Sequence, residues 1–172
     1  MNVSKSDEHE YNSVVSPKYL SLAIGLLYLF VVVRTAWLSD DAYITFRTVD
    51  NFVNGYGLTW NPGYRVQAFT NPLWLFLVSA VYTITNEIYY TTIFLSILLS
   101  CATLGIVYWL ARSHRQFWLG GSVILLSKAY TDYSTSGLEN PLVHLLLGVY
   151  AILLFSIENP KRRLLAISFV GS

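Results

Sequence analysis

The sequence predicts an all-α protein that crosses a membrane about four times. Of its 172 residues, 54% are hydrophobic and only 12% are charged, and the mean hydropathy is +0.47. A soluble domain usually carries about 25% charged residues. Several apolar runs also approach the roughly 20 residues that a helix needs to cross the hydrocarbon core. The net charge of +1 does not indicate nucleic-acid binding. The lipid bilayer is therefore the partner that the composition predicts.

Four apolar segments are the predicted spans: residues 19–38, 89–110, 117–132 and 139–157. The second has no charged residue, whereas the third is short and contains Lys128. The fourth has Pro141 near its start, where proline is tolerated because the first backbone N–H groups of a helix need no partner within it. Residues 1–18 are predicted to be a disordered cytoplasmic tail because they are polar.

The segment from Pro72 to Thr85 is apolar but short, which is more typical of an interfacial helix than of a span. If it does not cross, seven Lys and Arg residues lie on one side of the membrane and three on the other. The seven are Lys5, Lys18, Arg112, Arg115, Lys161, Arg162 and Arg163, and the three are Arg47, Arg65 and Lys128. Crossing would reverse this distribution. Because positive loops stay in the cytoplasm, the charges favour a multi-pass plasma-membrane protein with a cytoplasmic N-terminus and an outer loop over residues 39–88.

A further apolar run occupies residues 164–172 and stops there. It is too short to cross a bilayer as a helix. The sequence therefore predicts a chain cut at the start of a fifth span. The alternative is a complete small protein with an apolar tail.

The outer loop is predicted to contain two juxtamembrane helices. In the first, Ser39 is placed to cap the helix, and Asp40 and Asp41 suit the positive end of its dipole. The apolar residues that follow recur at helical spacing and form one stripe. They are Ala42, Phe46, Val49 and Val53. Asn54-Gly55 supplies a stop signal, and the second helix begins at Pro72.

The two adjacent acids, Asp40 and Asp41, fit three roles. One can accept a proton from a hydroxyl nucleophile. Together they can hold a divalent cation, which prefers hard oxygen ligands. The third role is only to cap the helix, and residue spacing alone favours it.

The loops also contain longer strings in a fixed order. The outer loop opens on Asp40-Asp41-Ala42-Tyr43-Ile44-Thr45-Phe46-Arg47 and continues with Gly55-Tyr56-Gly57-Leu58, Trp60-Asn61-Pro62-Gly63 and Thr70-Asn71-Pro72-Leu73-Trp74. A later loop reads Thr135-Ser136-Gly137-Leu138-Glu139-Asn140-Pro141-Leu142. Together these strings resemble the N-terminal portion of GT-C-type integral membrane glycosyltransferases. The nearest resemblance is to bacterial and archaeal enzymes related to the arabinofuranosyl- and mannosyltransferases and the lipopolysaccharide sugar transferases.

The resemblance implies a GT-C-like fold and an inverting glycosyltransferase. Such an enzyme moves a sugar from a polyprenyl-phosphate donor to a glycan, lipid or protein acceptor on the extracytoplasmic face. An acidic residue at the start of the first outer loop is the implied general base, and here that residue is Asp40 or Asp41. Metal dependence differs among these enzymes, so no metal is assigned and a divalent cation remains an option.

Four further residues are candidates for substrate binding: Arg47, Trp60, Asn71 and Glu139. Arg47 either contacts the donor phosphate through its planar guanidinium or pairs with Asp50 three residues on. Trp60 either faces the substrate or anchors the loop at the interface. Glu139 either lies in the active cavity or is simply a charge ahead of a helix.

Two other functions compete with catalysis. The first is an inactive remnant or assembly subunit of such an enzyme. The second is a fragment of a transporter or flippase, which would place charges and helix breaks near the middle of the membrane. The acids here cluster at the predicted outer surface instead, which argues against a transporter.

Overall fold

A computed structural model describes residues 17–64 and 66–156, together with residues 164 and 168. The predicted tail and the predicted start of a fifth span therefore lie almost entirely outside the described residues. Within the described part the chain is all-helical, with seven helices and no strand. The helices are α1 (Pro17–Arg34), α2 (Asp40–Val53), α3 (Pro72–Thr85), α4 (Ile88–Leu110), α5 (His114–Leu126), α6 (Lys128–Tyr133) and α7 (Asn140–Ser156).

Two helices of the described part, α1 and α4, are long and apolar enough to cross a membrane. They correspond to the first two predicted spans. Helix α1 ends at Arg34, four residues before the predicted boundary, so that Arg34 is exposed at the helix end. Helices α3 and α7 are apolar but shorter. Four crossings therefore remain a prediction.

The third predicted span, residues 117–132, is not one helix. It is divided at Ser127, which ends α5 and caps α6. The Ser127 hydroxyl accepts a hydrogen bond from the Tyr130 backbone N–H at 3.3 Å. This cap lets a new helix start with a change of direction. The first half also begins earlier than predicted, at His114, because the Ser113 side chain caps it.

The helices pack into a bundle with two apolar clusters. Helix α4 contacts α7, α1 contacts α5, and α2 contacts α3. The cluster that joins α2, α3, α4 and α7 consists of Val49, Trp74, Leu75, Val78, Leu95 and Leu142. The second joins α1, α4 and α5 and consists of Tyr28, Val32, Leu104 and Phe117. The first cluster fixes α2 and α3 to the rest of the bundle.

Helix α2 has the predicted apolar face. Ala42, Phe46 and Val49 are buried, and Val53 packs against the first cluster. The predicted stop is confirmed as well. Gly55 has a φ of +83°, and the Tyr56 N–H reaches the Asn51 carbonyl at 2.8 Å, which closes the helix end.

Each end of α3 is held by a side-chain hydrogen bond to another part of the bundle. In its first turn, Trp74 donates through Nε1 to the Gly137 carbonyl at 3.0 Å. At its last residue, the Thr85 hydroxyl lies 2.7 Å from the hydroxyl of Thr91, in the first turn of α4. These two contacts fix the ends of α3 to the start of α4 and to the loop before α7. That α3 stays on one side of the membrane remains a prediction.

Cysteine labelling tests the predicted topology. In a Cys101→Ser background, a membrane-impermeant maleimide added to intact cells is expected to label Tyr56→Cys, in the outer loop, but not Arg115→Cys, at the start of α5. Both native side chains are exposed, so accessibility within the fold does not bias the comparison. Labelling of Arg115→Cys alone would reverse the predicted orientation. Labelling of both from outside would contradict the membrane span between them.

Candidate active site

The two motif segments, which lie almost 100 positions apart in the chain, meet at one junction. The Ser39 backbone N–H donates to the Ser136 carbonyl at 2.8 Å, and the Trp37 N–H reaches the Thr135 hydroxyl at 3.4 Å. Thr135 and Ser136 are fully buried. These bonds satisfy backbone groups that would otherwise lack partners beside the start of α2. The Ser39 side chain, in contrast, makes no capping bond, so that part of the prediction is wrong.

Gly137 allows this close approach. Its φ is +80°, a conformation that side chains other than glycine rarely adopt. A Cβ atom there would lie 2.7 Å from the Ala42 Cβ and 2.7 Å from a Leu38 methyl group. The glycine carbonyl also accepts the Trp74 indole N–H. At Gly137, the loop before α7 therefore contacts both α2 and α3.

A cavity of about 300 Å³ opens beside this junction, between α2, the segment before α3, and the start of α7. Its polar lining side chains are Asp41, Thr45, Thr70 and Glu139. Its apolar lining consists of Ile44, Ala68, Phe69 and Leu138. A largely apolar hollow with a few converging polar groups is the usual form of a small-molecule site.

The two adjacent acids, Asp40 and Asp41, differ in their relation to the cavity. Asp41 lines the cavity and Asp40 does not. The reason is helical geometry, because adjacent residues of a helix point about 100° apart. Thr45 follows Asp41 by one turn and shares its face. Glu139, the acid of the second motif, lines the same cavity and is half-buried.

Arg47 holds the loop and does not pair with Asp50. Its Nε donates to the Trp60 carbonyl at 2.9 Å, its Nη2 donates to Asn61 Oδ1 at 2.8 Å, and its guanidinium lies 4.8 Å from the centre of the Trp60 ring. Asn51 adds two bonds from its amide to the Thr59 and Trp60 carbonyls. The predicted Arg47–Asp50 pair is therefore wrong, since backbone carbonyls of the loop compete for the guanidinium.

Asp50 instead binds α3. Its carboxylate accepts the Tyr82 hydroxyl at 2.8 Å and the Asn54 amide at 2.9 Å. Only the neutral Tyr82 phenol can donate this bond to the carboxylate. The bond therefore raises the pKa of Tyr82, and partial burial adds to the effect. This bond ties α2 to α3.

Asn71 acts as a helix cap. Its side-chain oxygen accepts the Trp74 backbone N–H at 3.1 Å at the start of α3. Neither Asn71 nor Trp60 lines the Asp41–Glu139 cavity. A second cavity of about 380 Å³ adjoins it through the shared residue Phe69 and is lined by Thr59, Tyr64 and Gln67 among others. The loop clamped by Arg47 thus forms the wall of that second cavity.

Two cavity residues, Thr45 and Thr70, were not candidates in the sequence. Thr45 had a usable signal, because it lies four residues after Asp41 on a predicted helix. Thr70 had only its membership of the Thr70-Asn71-Pro72-Leu73-Trp74 string, since tertiary packing alone brings it to the cavity. No group of three or more His, Cys, Asp or Glu side chains suited to a metal occurs among the described residues.

The chain is similar to two proteins that bear the same name, terminal β-(1→2)-arabinofuranosyltransferase. It is 27% identical over 152 residues to the protein from Mycobacterium tuberculosis, a match that covers 81% of this chain and 24% of that protein. It is 34% identical over 127 residues to the protein from Corynebacterium glutamicum, a match that covers 69% of this chain and 18% of that protein. The chain therefore spans about a quarter or less of the relatives it matches. The predicted resemblance to arabinofuranosyltransferases is confirmed to this extent.

No protein-family model matches the chain, and no solved structure matches it.

Replacing Gly137 by alanine tests the junction. We expect Gly137→Ala to lower the free energy of unfolding by about 2–5 kcal/mol, because it adds left-handed backbone strain to an overpacked contact. The matched control is Gly57→Ala, which has a φ of +85° but open space around its Cβ position. It should lose only about 1–2 kcal/mol. Denaturant titration in detergent micelles measures both, and equal losses would contradict the close contact at Gly137.

Proposed function

We propose that this chain forms the catalytic-loop end of a membrane glycosyltransferase that uses a polyprenyl-phosphate sugar at the extracytoplasmic face. One observation carries the proposal. The acids of two separate motifs, Asp41 and Glu139, line one cavity. The similarity to proteins named as arabinofuranosyltransferases supports the same reaction class.

Asp41 is the proposed general base. As the acceptor hydroxyl oxygen attacks the anomeric carbon, its proton passes to the Asp41 carboxylate. The bond between that carbon and the phosphate oxygen breaks, and the electron pair leaves with the phosphate. A phosphate leaves without protonation, so the reaction needs no general acid. Attack opposite to the departing phosphate inverts the configuration at the anomeric carbon.

The position of Asp41 suits this role. It lies in the first turn of α2, where the helix dipole stabilises a carboxylate. No ion pair occupies it, because the ion pair of the described residues is Lys128–Asp132 at another part of the bundle. Asp40 lies outside the cavity lining, and its proposed role is limited to the helix start.

The other candidates divide into two roles in this proposal. Glu139, Thr45 and Thr70 supply hydrogen-bonding groups for sugar or acceptor hydroxyls within the cavity. Arg47, Trp60 and Asn71 position the loop and the start of α3, since their polar groups already bond to the chain. A sugar unit can occupy the Asp41–Glu139 cavity while the adjoining cavity receives the rest of a substrate.

Substitution of the two adjacent acids tests the proposal. Membranes that contain the chain are incubated with a panel of labelled polyprenyl-phosphate sugars, the arabinofuranosyl donor first, and transfer to membrane acceptors is measured. We expect Asp41→Asn to lower the transfer rate roughly 10²–10⁴-fold, the usual contribution of a general base. Asp40→Asn is the matched control and should retain most of the activity.

Several results would contradict the proposal. Full activity of Asp41→Asn would exclude that residue as the base, and a selective loss in Asp40→Asn would move the role to its neighbour. Failure of the unaltered chain to transfer any sugar of the panel would contradict glycosyltransfer by this chain. Equal amounts of each variant in the membrane fraction ensure that the rates compare folded protein.

A further inference from the structure

An apolar groove runs between α1 and α4 at the end of the bundle opposite to Asp41. It encloses about 360 Å³. We call it the α1–α4 groove, and its apolar walls include Leu22 and Leu26 on one side and Leu104 on the other. Lys18 lines the same groove in the first turn of α1. The groove thus combines an apolar channel with a cation at its end.

Two glycines keep the groove open. Gly25 on α1 and Gly105 on α4 both line it. A Cβ atom built at either position would meet nothing within 4 Å. The helices therefore do not use these glycines to pack closely against each other. The space next to them is open.

A second cavity of about 370 Å³ adjoins the groove and is more polar. The two share Tyr108 and Phe117 as lining residues. Arg112 and His114 line the second cavity, so it adds a permanent cation next to Lys18 at the same end of the bundle. Within the described residues, neither Lys18 nor Arg112 belongs to an ion pair.

The positive charges of Lys18 and Arg112 indicate which kind of ligand fits the groove and the adjoining cavity. Every acidic residue that the structure describes lies elsewhere, and none lines either cavity. They are Asp40, Asp41, Asp50, Glu87, Asp132 and Glu139. A second copy of the chain offers no described carboxylate at this end to meet the cations. An anionic group that carries an apolar chain satisfies both parts of the site.

The site is held in a fixed shape by polar bonds between α1 and α5. The Ser21 hydroxyl lies 3.0 Å from His114 Nδ1 and accepts the Trp118 indole N–H at 3.1 Å. Since Ser21 also lines the groove, these bonds fix the wall of the groove beside Lys18. A preformed site loses less conformational entropy when it binds its ligand.

We propose that the α1–α4 groove binds one anionic phospholipid of the adjacent leaflet. One acyl chain lies along Leu22, Leu26 and Leu104, and the phosphate lies between Lys18 and Arg112. The predicted topology puts this end in the cytoplasmic leaflet, where anionic lipids attract basic side chains. The site is separate from the Asp41–Glu139 cavity and does not depend on the proposed transferase activity.

Native mass spectrometry of the full chain in detergent tests the headgroup site. Phosphatidylglycerol is titrated against phosphatidylcholine with identical acyl chains. We expect tighter binding of phosphatidylglycerol, and Lys18→Gln or Arg112→Gln should each weaken it about fivefold, the effect of one basic residue near a membrane surface. Arg34→Gln, which removes an exposed cation from the opposite end of α1, is the charge-matched control and should leave binding unchanged.

Filling the groove tests the acyl-chain site separately. Gly25→Phe points a large side chain into open space, so we expect a folded protein that retains less phosphatidylglycerol. Ala23→Phe is the control, because Ala23 is exposed on the same helix and does not line the groove. Equal binding of the two lipids, an unchanged affinity in Gly25→Phe, or equal losses in Arg34→Gln and Lys18→Gln would overturn the proposal. Dimers that dissociate in Gly25→Phe without a change in lipid binding would assign the groove to a second copy.

Discussion

The close backbone contact between residues 37–39 and 135–137 determines where α2 and the loop that follows it lie on the bundle. The Ser39–Ser136 bond and the space left by Gly137 bring α2 against the later loop, and Trp74 brings α3 to the same point. The chain leaves α1 at Arg34 and has only a few residues in which to reach this contact. The orientation of α2, and with it the direction of the Asp41 side chain, follows from that short connection.

The division of labour between Asp40 and Asp41 depends on this constraint. A free amphipathic helix could present either acid to a substrate. Once Ala42 and Phe46 are buried against the junction, however, rotation about the helix axis is fixed. Asp41 and Thr45 then face the cavity shared with Glu139. Burial of an apolar face therefore positions the polar groups beside it.

Local sequence patterns predicted the elements of the fold well. The apolar stripe of α2, its end at Asn54-Gly55 and the start of α3 at Pro72 follow from spacing and turn chemistry within a few residues. The break at Ser127 was missed although polar residues follow it, since Lys128, Thr131 and Asp132 belong to the second half of that predicted span. The partner of Arg47 was also missed, since the Trp60 carbonyl is a backbone group whose position depends on how the loop folds.

The candidate site was predicted in part. Its two acidic motifs were found from the order of their residues, but the meeting of Asp41 with Thr70 and Glu139 is a long-range contact that spacing does not reveal. The groove beside Lys18 had no sequence signal, because Gly25 and Gly105 are common residues within apolar helices. The two ends of the bundle differ in charge as well. Two acids line the Asp41–Glu139 cavity, whereas no described acid lines the groove beside Lys18 or the cavity that adjoins it.

Cross-linking between the two motif segments tests the shared cavity most directly. Cysteines replace Thr45 and Leu138, both of which line the cavity, in a Cys101→Ser background, and a short bis-maleimide is applied to membranes. The shared cavity predicts an intramolecular cross-link for Thr45→Cys with Leu138→Cys. It predicts none for Thr45→Cys with Trp109→Cys, near the opposite end of α4. Absence of the first cross-link while both cysteines react singly would contradict a common site for Asp41 and Glu139.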